Sequence, residues 1–361
     1  MIRLLVSAGM LFVSLVVSAQ ETPPYTVTPI AGPLNKPWTA VELPDSRWII
    51  TERDGHVVVA DDDSLTRYRV PLPGLYVDGQ GGLLDLALTQ DFTLSGKVML
   101  TYVKGTADAN TMVIANADMA PTGQLKNITP VLEVTPTRAT PVHYGGRLAV
   151  LNDGTWLVTS GDGFDYREQA QVMSSQFGKI LRFQENGTAP SDNPFPDAPY
   201  VYTLGHRNPQ ALVVDEQSET IFAHEHGPAG GDEINQIVAG NNYGWPVATL
   251  GLDYSGAKIS PFSAYPGMTA PLVNWTPSVA PSGMVRYTGS LFPSLQGSLL
   301  VTTLKAKQLL HVDLTKETPQ IQPIFATLNQ RLRDVTQSRA GAVVVLTDGD
   351  NAQLLEIVPA Q

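Results

Sequence analysis

The chain contains no cysteine, and this absence limits how it can be built. Without thiols there can be no disulfide framework, no thiolate metal centre and no cysteine nucleophile. Burial, hydrogen bonding and oxygen-ligated metal ions are the remaining sources of stability.

Positive charge is also scarce, with 23 Lys and Arg residues against 34 Asp and Glu residues and a net charge of −11. Nucleic acids and anionic lipid surfaces select for an electropositive footprint. We therefore expect neither as a main partner. Beyond the N-terminal segment no apolar run approaches the roughly 18–20 residues that cross a bilayer, so we expect no membrane span.

The first twenty residues, "MIRLLVSAGMLFVSLVVSAQ", combine one early cation, an apolar run and the small residues that precede Gln20. This pattern is typical of a cleavable secretory signal peptide. It predicts a leader over residues 1–19 and a periplasmic or secreted protein. Removing Arg3 leaves 22 cations against 34 acids, a net charge of about −12.

Helix-period stretches are scarce, whereas short β-rich apolar runs that end in turn residues recur along the chain. We count six of them: "RWIITERDGHVVVA", "GKVMLTYVKG", "GTWLVTSGDG", "ETIFAHEHGP", "GSLLVTTLKA" and "GAVVVLTDGD". Their spacing favours an all-β, six-bladed β-propeller with long inter-strand loops, in one domain over residues 20–361. A doubled sandwich and a β-helix are weaker alternatives. Only "DEINQIVAG" (232–240) indicates a short helix.

The usual catalytic motifs are missing: there is no phosphate-binding glycine loop, no nucleophile elbow and no His-Glu-x-x-His. His143, in "PVHYGGRL", is either a base, a metal ligand or a buried turn histidine. Arg207 and Asn208, in "LGHRNPQAL", suit an anionic or polarised oxygen, although an arginine paired to a loop carboxylate is equally compatible.

The stretch "HEHGPAGGDEIN" admits two metal hypotheses. His224 and His226 share a face if extended and could hold zinc. Alternatively, the bent Gly227-Pro228 turn offers carbonyls, and the carboxylates of Asp232 and Glu233 follow it in the sequence; this combination suits a hard cation such as Ca²⁺. A polar turn without any metal is the third possibility.

Late in the chain, Lys305 follows an apolar strand, and Arg331 and Arg333 lie two residues apart, on one face if extended. Three cations at strand ends in an acidic protein indicate a local anion pocket. Scattered surface cations are the alternative.

Taken together, eight segments resemble the soluble pyrroloquinoline quinone (PQQ) dependent glucose/sorbosone dehydrogenases, most of all their aldose sugar dehydrogenase branch. They are "GQGGLLDLALTQDF", "HYGGRL", "LGHRNPQAL", "HEHGPAGGDEINQI", "NNYGWP", "APSGMVRY", "LKAKQLLHV" and "RLRDV", in the family's order from about residue 25 to the C-terminus. The fold of that family is a six-bladed propeller, in agreement with the repeat count.

The resemblance implies a role for each candidate residue. His143 would be the general base, and Arg207 and Asn208 would flank the reactive carbonyl of PQQ. Further contacts to PQQ would come from Gln80, Tyr254, Lys305, Arg331 and Arg333. Gly227 and Pro228 would offer carbonyls to a Ca²⁺ that also binds PQQ, while Glu233 and the Tyr243 carbonyl would hold a second, structural Ca²⁺.

The implied reaction oxidises aldose sugars at C1 to the lactone, by hydride transfer to C5 of PQQ. Electrons would then pass to an external acceptor, and the protein would act as a monomer or homodimer. One departure stands out: Val142 precedes the histidine where the glucose dehydrogenase branch has an acidic residue, so the group that orients His143 is unidentified. Two alternatives are a Ca²⁺-dependent sugar lactonase on a six-bladed propeller and a non-catalytic exported binding module.

Overall fold

The computed structural model describes residues 24–61, 64–215 and 217–360. The predicted signal peptide lies outside these residues. Within them, no helix is both long enough and apolar enough to span a bilayer.

Short strands organise the described chain into six antiparallel sheets of four strands each. The first three sheets are blade 1, with β2 (Pro37–Glu42), β3 (Trp48–Glu52), β4 (His56–Asp61) and β5 (Ser64–Arg69); blade 2, with β6 (Leu83–Leu88), β7 (Lys97–Gly105), β8 (Asn110–Met119) and β9 (Leu125–Glu133); and blade 3, with β10 (Gly145–Val150), β11 (Trp156–Ser160), β12 (Lys179–Phe183) and β13 (Val201–Leu204).

The second half of the ring repeats this arrangement. Blade 4 contains β14 (Pro209–Val214), β15 (Ile221–Glu225), β16 (Asp232–Ile237) and β17 (Val273–Trp275); blade 5 contains β18 (Pro281–Arg286), β19 (Leu299–Thr303), β20 (Leu309–Asp313) and β21 (Gln320–Ile324); and blade 6 contains β22 (Leu332–Gln337), β23 (Val343–Thr347), β24 (Ala352–Pro359) and β1 (Tyr25–Leu34). The one α-helix of the described residues is α1 (Phe92–Ser95), and three 3₁₀ turns lie at Arg167–Gln171, Pro293–Leu295 and Ala326–Leu328.

The first strands of the six blades contact one another in sequence, and β22 contacts β2, so that the sheets close into a ring. Blade 6 completes the closure because its outermost strand, β1, comes from the other end of the chain and pairs with β24. Apolar clusters fill the spaces within and between adjacent blades. The predicted six-bladed β-propeller is therefore confirmed.

The six apolar runs form the second strands of the blades, which explains their continuous hydrophobicity. In β3, β11, β15, β19 and β23 every residue is buried. Each second strand runs antiparallel to the first, so its last residue pairs with the start of the first strand, as Ser160 does with Gly145. Residues just beyond a second strand and residues just before a first strand therefore meet on the same face of the ring.

A β-bulge interrupts the start of every first strand. The third residues of four of these strands meet in the central channel, where Arg147 hydrogen-bonds to Thr39, Asp85 and Asp334. The Arg147 guanidinium lies 3.3 Å from Asp85 and 3.3 Å from Asp334, and it covers the ring of Trp38 at 4.2 Å. A buried cation shared between two carboxylates thus spans the channel.

The helix predicted over residues 232–240 is wrong. Residues Asp232–Ile237 form strand β16, which pairs with β15 through the register Ile221↔Ile237 to Glu225↔Glu233. Ile234 and Ile237 are three residues apart, which is the spacing of one face of a helix. In the structure both lie in strand β16, and both side chains are buried. The partner strand supplies the backbone hydrogen bonds that a helix would have made internally.

Candidate active site

His143 lies directly before β10, at the face where first strands begin, and its backbone adopts a left-handed conformation with φ of 56°. Non-glycine residues rarely adopt this region and need to be held there. The His143 N–H donates to Gln80 Oε1 at 2.8 Å, and its carbonyl accepts from Arg138 Nη1 at 2.8 Å. The residue is only 6 % exposed, and both of its backbone groups are hydrogen-bonded to side chains.

Asp162 orients the His143 ring. It follows β11, is fully buried, and its Oδ1 lies 2.7 Å from His143 Nδ1. The Trp245 Nε1–H donates to its other oxygen at 2.8 Å, and the Phe164 backbone N–H donates to Oδ1 at 2.8 Å. A carboxylate acceptor at Nδ1 selects the tautomer with the proton on that nitrogen, which leaves Nε2 as a free acceptor.

Sequence reasoning missed Asp162 and Trp245, although a signal was available for the first. Asp162 is the acid in "GTWLVTSGDG" and stands two residues after strand β11 ends at Ser160, where a second strand delivers side chains to the site. The acid missing at Val142 is thus supplied by the segment that follows the neighbouring strand β11, nineteen residues after His143.

The surroundings of His143 favour its neutral form. Burial lowers the pKa of His143, and the positive charges of Arg207 and Arg138 act in the same direction, while the hydrogen bond to Asp162 opposes them. A neutral imidazole with an oriented carboxylate partner and a free Nε2 can accept a proton.

Arg207 and Asn208 precede β14 and are both buried. The Arg207 guanidinium donates to the carbonyls of His226 at 3.0 Å and Gly227 at 2.9 Å, and lies 3.4 Å from the Tyr254 hydroxyl. Its backbone N–H donates to the Glu225 carboxylate. Asn208 Oδ1 accepts from the Gly145 N–H at 3.2 Å. The Arg207 side chain makes no ion pair with a carboxylate in the described part of the chain.

Three cavities surround these residues. The largest measures about 340 Å³, and its walls include Asp162, Phe164, Arg207, Pro228, Trp245 and Tyr254. A second, of about 70 Å³, lies over the channel and is bordered by Arg53, Gln80, Asn208, Gln210, His226 and Arg333. The third holds about 10 Å³, enough for one water or ion, and includes Glu225, Gly227, Glu233 and Tyr243.

The predicted candidates are therefore distributed over more than one cavity. Arg207 borders the largest and the smallest cavity. Tyr254, although 64 % exposed, does form a wall of the largest cavity, and it stacks on Phe164 with ring centroids 6.4 Å apart.

The smallest cavity has the donors of a hard-cation site. Glu225 and Glu233 are paired across β15 and β16, and burial together with the Glu225 charge raises the pKa of Glu233 to about 8. Asn235 donates to both carboxylates at 3.4 and 3.3 Å, while its own Oδ1, buried as well, has no hydrogen-bond partner among the described residues. Crowded carboxylates and an unpaired amide oxygen fit Ca²⁺ better than any softer metal.

The turn at Gly227 is tight. A Cβ at this glycine would lie 2.2 Å from the Gly230 carbonyl oxygen, so no larger residue fits without moving the loop. Its N–H donates to Asp232 at 2.9 Å, and Asp232 in turn accepts from Ser278, Val279 and Ala280. A cation at Gly227 and Pro228 would have to share the Gly227 carbonyl with Arg207 or displace it from that carbonyl.

Two of the three late cations meet at one carboxylate. Arg331 and Arg333 both bind Asp348, at 2.7 and 3.1 Å, which places the two guanidinium groups on one face as predicted. Two arginines sharing one carboxylate keep a net positive charge. Lys305 is exposed, and its ammonium group makes no ion pair within the described ranges. Arg53, which borders the channel cavity beside Arg333, is a further cation that sequence reasoning missed.

The histidines of the zinc hypothesis, His224 buried and His226 half-buried, have no third ligand among the described residues. Burial lowers the pKa of His224 to about 3, and neither of its ring nitrogens finds a hydrogen-bond partner among the described residues. In the part of the chain that the structure describes, Glu52, Asp54 and His56 form the only cluster with three ligand atoms in range of one ion. Glu52 there is already bound to Arg67 at 2.7 and 2.8 Å.

Comparison with known proteins agrees with this architecture. The family described as "Glucose / Sorbosone dehydrogenase" matches residues 34–356. The aldose sugar dehydrogenase YliI of Escherichia coli K12 is 33 % identical over 337 residues, which cover 90 % of this chain and 91 % of that protein. A protein of Synechocystis sp., slr1608, is 37 % identical over 358 residues, 93 % of this chain and 87 % of that one.

Among solved structures, the PQQ-bound aldose sugar dehydrogenase of Streptomyces coelicolor superposes with a TM-score of 0.75 at 28 % identity, covering 92 % of this chain and 98 % of that one. The fold and these matches define a member of a sugar dehydrogenase family that is built on a propeller. The chain belongs to the glucose/sorbosone dehydrogenase family of oxidoreductases.

Proposed function

We propose that this protein catalyses the PQQ- and Ca²⁺-dependent oxidation of aldose sugars at C1 to the corresponding lactones. The observation that carries the proposal is the buried His143–Asp162 pair beside the Arg207 guanidinium, at the mouth of a propeller channel. The S. coelicolor relative is a PQQ-bound aldose sugar dehydrogenase, which supports the same cofactor class here.

In this proposal, bound PQQ supplies the two-electron acceptor and Ca²⁺ the Lewis acid that the side chains lack. Gln80, Asn208 and Arg333 border the channel cavity and would contact PQQ, with Lys305 and Arg331 adding positive charge for its carboxylates. Gly227 and Pro228 would bind the catalytic Ca²⁺ through their carbonyls. Glu233 and the Tyr243 carbonyl would hold the structural Ca²⁺.

Each protein group then has a defined task. His143 accepts the proton of the anomeric hydroxyl at Nε2, and Asp162 stabilises the imidazolium that results. Arg207 stabilises negative charge that develops on the oxygen facing it. Phe164 and Tyr254 form an aromatic wall of the large cavity, which suits the apolar face of a sugar ring.

Reconstitution tests the proposal directly. Purified apo-protein should gain dye-linked aldose oxidation only when PQQ and Ca²⁺ are both present. Absence of turnover with both added, across a panel of common aldoses, contradicts the assignment, and lactone hydrolysis in the same preparations would point to a lactonase instead.

Two variants separate chemistry from cofactor binding. His143→Ala should lose turnover by a factor of about 10² or more while still binding PQQ. Lys305→Ala should instead weaken PQQ binding, seen as a higher PQQ concentration for half-maximal activity. Near-normal turnover in His143→Ala would remove this residue from the role of base.

We also propose export from the cytoplasm through the leader predicted at residues 1–19. Fractionation of cells that produce the full chain should find it in the periplasm or medium, with Gln20 at its N-terminus. Retention of residues 1–19 on the isolated protein would contradict this.

A further inference from the structure

Arg138 is buried behind His143 in an unusual way. It is 1 % exposed, and its guanidinium is held between two rings, 4.1 Å from the Phe177 centroid and 4.8 Å from the Tyr144 centroid. Its Nη1 donates to the His143 carbonyl at 2.8 Å. Its Nε and Nη2 have no hydrogen-bond partner among the described residues. A buried guanidinium that directs its one hydrogen bond at a single carbonyl is costly, and such groups are retained where they serve a site.

We propose that Arg138 is a positioning residue for His143: it holds the His143 carbonyl and so keeps the left-handed backbone and the imidazole in place for proton transfer. The proposal rests on the proposed role of His143 as the proton acceptor.

The local geometry explains why an anchor is needed. A φ of 56° at a histidine is a strained conformation, and it persists only when surrounding groups over-determine it. Gln80 holds the N–H of this residue and Arg138 its carbonyl, so the two sides of the strained residue are held independently. Without Arg138 the His143 carbonyl keeps only the longer 3.4 Å hydrogen bond from the Gly163 N–H, so the backbone at His143 is held less tightly and Nε2 is less well fixed. The 2.7 Å contact between His143 Nδ1 and Asp162 Oδ1 keeps the ring beside that carboxylate.

Arg138 is itself held rigidly. Its backbone N–H and carbonyl pair with Asn110 at 2.9 and 2.8 Å, and the Asn110 side chain accepts the Tyr144 hydroxyl at 2.6 Å. Tyr144 and Phe177 enclose the guanidinium from two sides. Arg138 is therefore enclosed by the packed core between blades 2 and 3. Its hydrogen bond holds the carbonyl of His143, a loop residue, against that core.

The charge of Arg138 adds a second effect. Burial lowers the pKa of Arg138 to about 10, so the group remains protonated near neutral pH. The charged and titratable groups that face His143 are Asp162 after β11, Arg207 before β14, His226 after β15 and Arg138 itself. Among these, Asp162 favours the imidazolium, whereas Arg207 and Arg138 oppose it. Removing Arg138 should therefore raise the pKa of His143.

The first test uses the apo-protein and needs no cofactor. The chain has six histidines, and the His143 resonance is assigned by its loss in His143→Gln. Proton NMR titration should show a higher His143 pKa in Arg138→Met than in the wild type, and a smaller rise in Arg138→Lys, which restores charge. An unchanged His143 titration in a folded Arg138→Met protein overturns the proposal.

The second test uses the PQQ- and Ca²⁺-loaded enzyme. Arg138→Met should lower kcat by about 10- to 100-fold with little change in KM, because the base is misplaced and not the sugar site. The limb of the pH profile assigned to the base should move upward with the NMR value, and Arg138→Lys should recover part of kcat. If Arg138→Met does not fold, Arg138→Lys carries both readouts.

A matched control distinguishes positioning from stability. Arg182, in β12 of blade 3, is also a largely buried arginine, and it forms ion pairs with Asp153 and Asp192. It pairs with Leu157 in β11, away from the Ser160 end of that strand where His143 lies. Arg182→Met should lower the melting temperature without changing the His143 titration or the pH profile. A lower melting temperature alone in both Met variants makes Arg138 a structural residue. A third outcome separates the two proposals: the His143 titration shifts in the Arg138→Met apo-protein, but the wild-type protein oxidises no aldose with PQQ and Ca²⁺ added. That result contradicts the proposed function and leaves the positioning role of Arg138 intact.

Discussion

Asp85, in the central channel, should make the protein less stable as the pH rises from 4 to 7. Burial raises the pKa of its carboxyl from 3.8 to about 6, with the Arg147 guanidinium opposing the shift and the Asp334 carboxylate adding to it. Between these two pH values the folded state binds more protons than the unfolded state, so the free energy of unfolding falls as the pH rises. The stabilising contribution is complete below pH 3.8 and is lost above pH 6.

The magnitude follows from the shift. One pKa unit corresponds to about 1.4 kcal/mol, so a shift from 3.8 to about 6 amounts to about 3 kcal/mol. The carboxyl is fully buried, so solvent does not reduce the effect. Asp85→Asn removes the titrating group but keeps its shape, including an oxygen that can accept the Leu148 N–H, which Asp85 Oδ2 accepts at 2.7 Å.

Urea unfolding at pH 4, 5, 6 and 7, followed by tryptophan fluorescence, measures the effect in wild type and Asp85→Asn. The wild-type free energy of unfolding minus that of the variant should fall by roughly 2.4 kcal/mol between pH 4 and pH 7, because the rest of the full effect of about 3 kcal/mol lies below pH 4. Asp197→Asn, at an exposed aspartate, controls for loss of one negative charge. Parallel pH curves for wild type and Asp85→Asn, or a difference of the opposite sign, would refute the reasoning.

Three further predictions concern the site. Asp162→Asn should reduce kcat by roughly 10²- to 10⁴-fold while PQQ binding persists, because the His143 tautomer is no longer selected; unchanged kcat in the loaded enzyme would contradict this. Glu233→Gln should abolish the increase in melting temperature that Ca²⁺ gives the apo-protein, since a crowded carboxylate is removed from the smallest cavity; an equal Ca²⁺-dependent shift in both proteins would rule out that cavity as the ion site. Gly227→Ala should weaken Ca²⁺ binding by about tenfold or more, measured by calorimetry, because its Cβ meets the Gly230 carbonyl at 2.2 Å; wild-type affinity would mean that this loop is not a ligand.

The fold could be predicted because its strongest signal is local. A second strand is buried on both faces, so its hydrophobicity is continuous and visible in the sequence, as in "GAVVVLTDGD". Strand β16 shows the limit of such signals. Ile234 and Ile237 have helical spacing, and only the pairing with β15 decides between the two structures.

The candidate site could be predicted only in part, for the same reason. His143, Arg207 and Asn208 stand in recognisable motifs. Asp162 reaches His143 because Gly145 pairs with Ser160, a long-range contact that no local pattern encodes. The ion pairs of Asp348 with Arg331 and Arg333 are another such case, because the carboxylate lies 17 and 15 residues from the two arginines, on the neighbouring strand end.

The pairing of β1 with β24 also bears on when a ligand can be acquired. The channel cavity takes residues that precede blades 2 and 4 and one residue of blade 6, Arg333, so it does not exist until the last blade has formed. Blade 6 in turn requires both Tyr25–Leu34 and Ala352–Pro359. The channel cavity that is proposed to hold PQQ is therefore incomplete until these two segments have paired. Under the proposed export, a chain that crosses a membrane unfolded would acquire its proposed cofactors only on the far side.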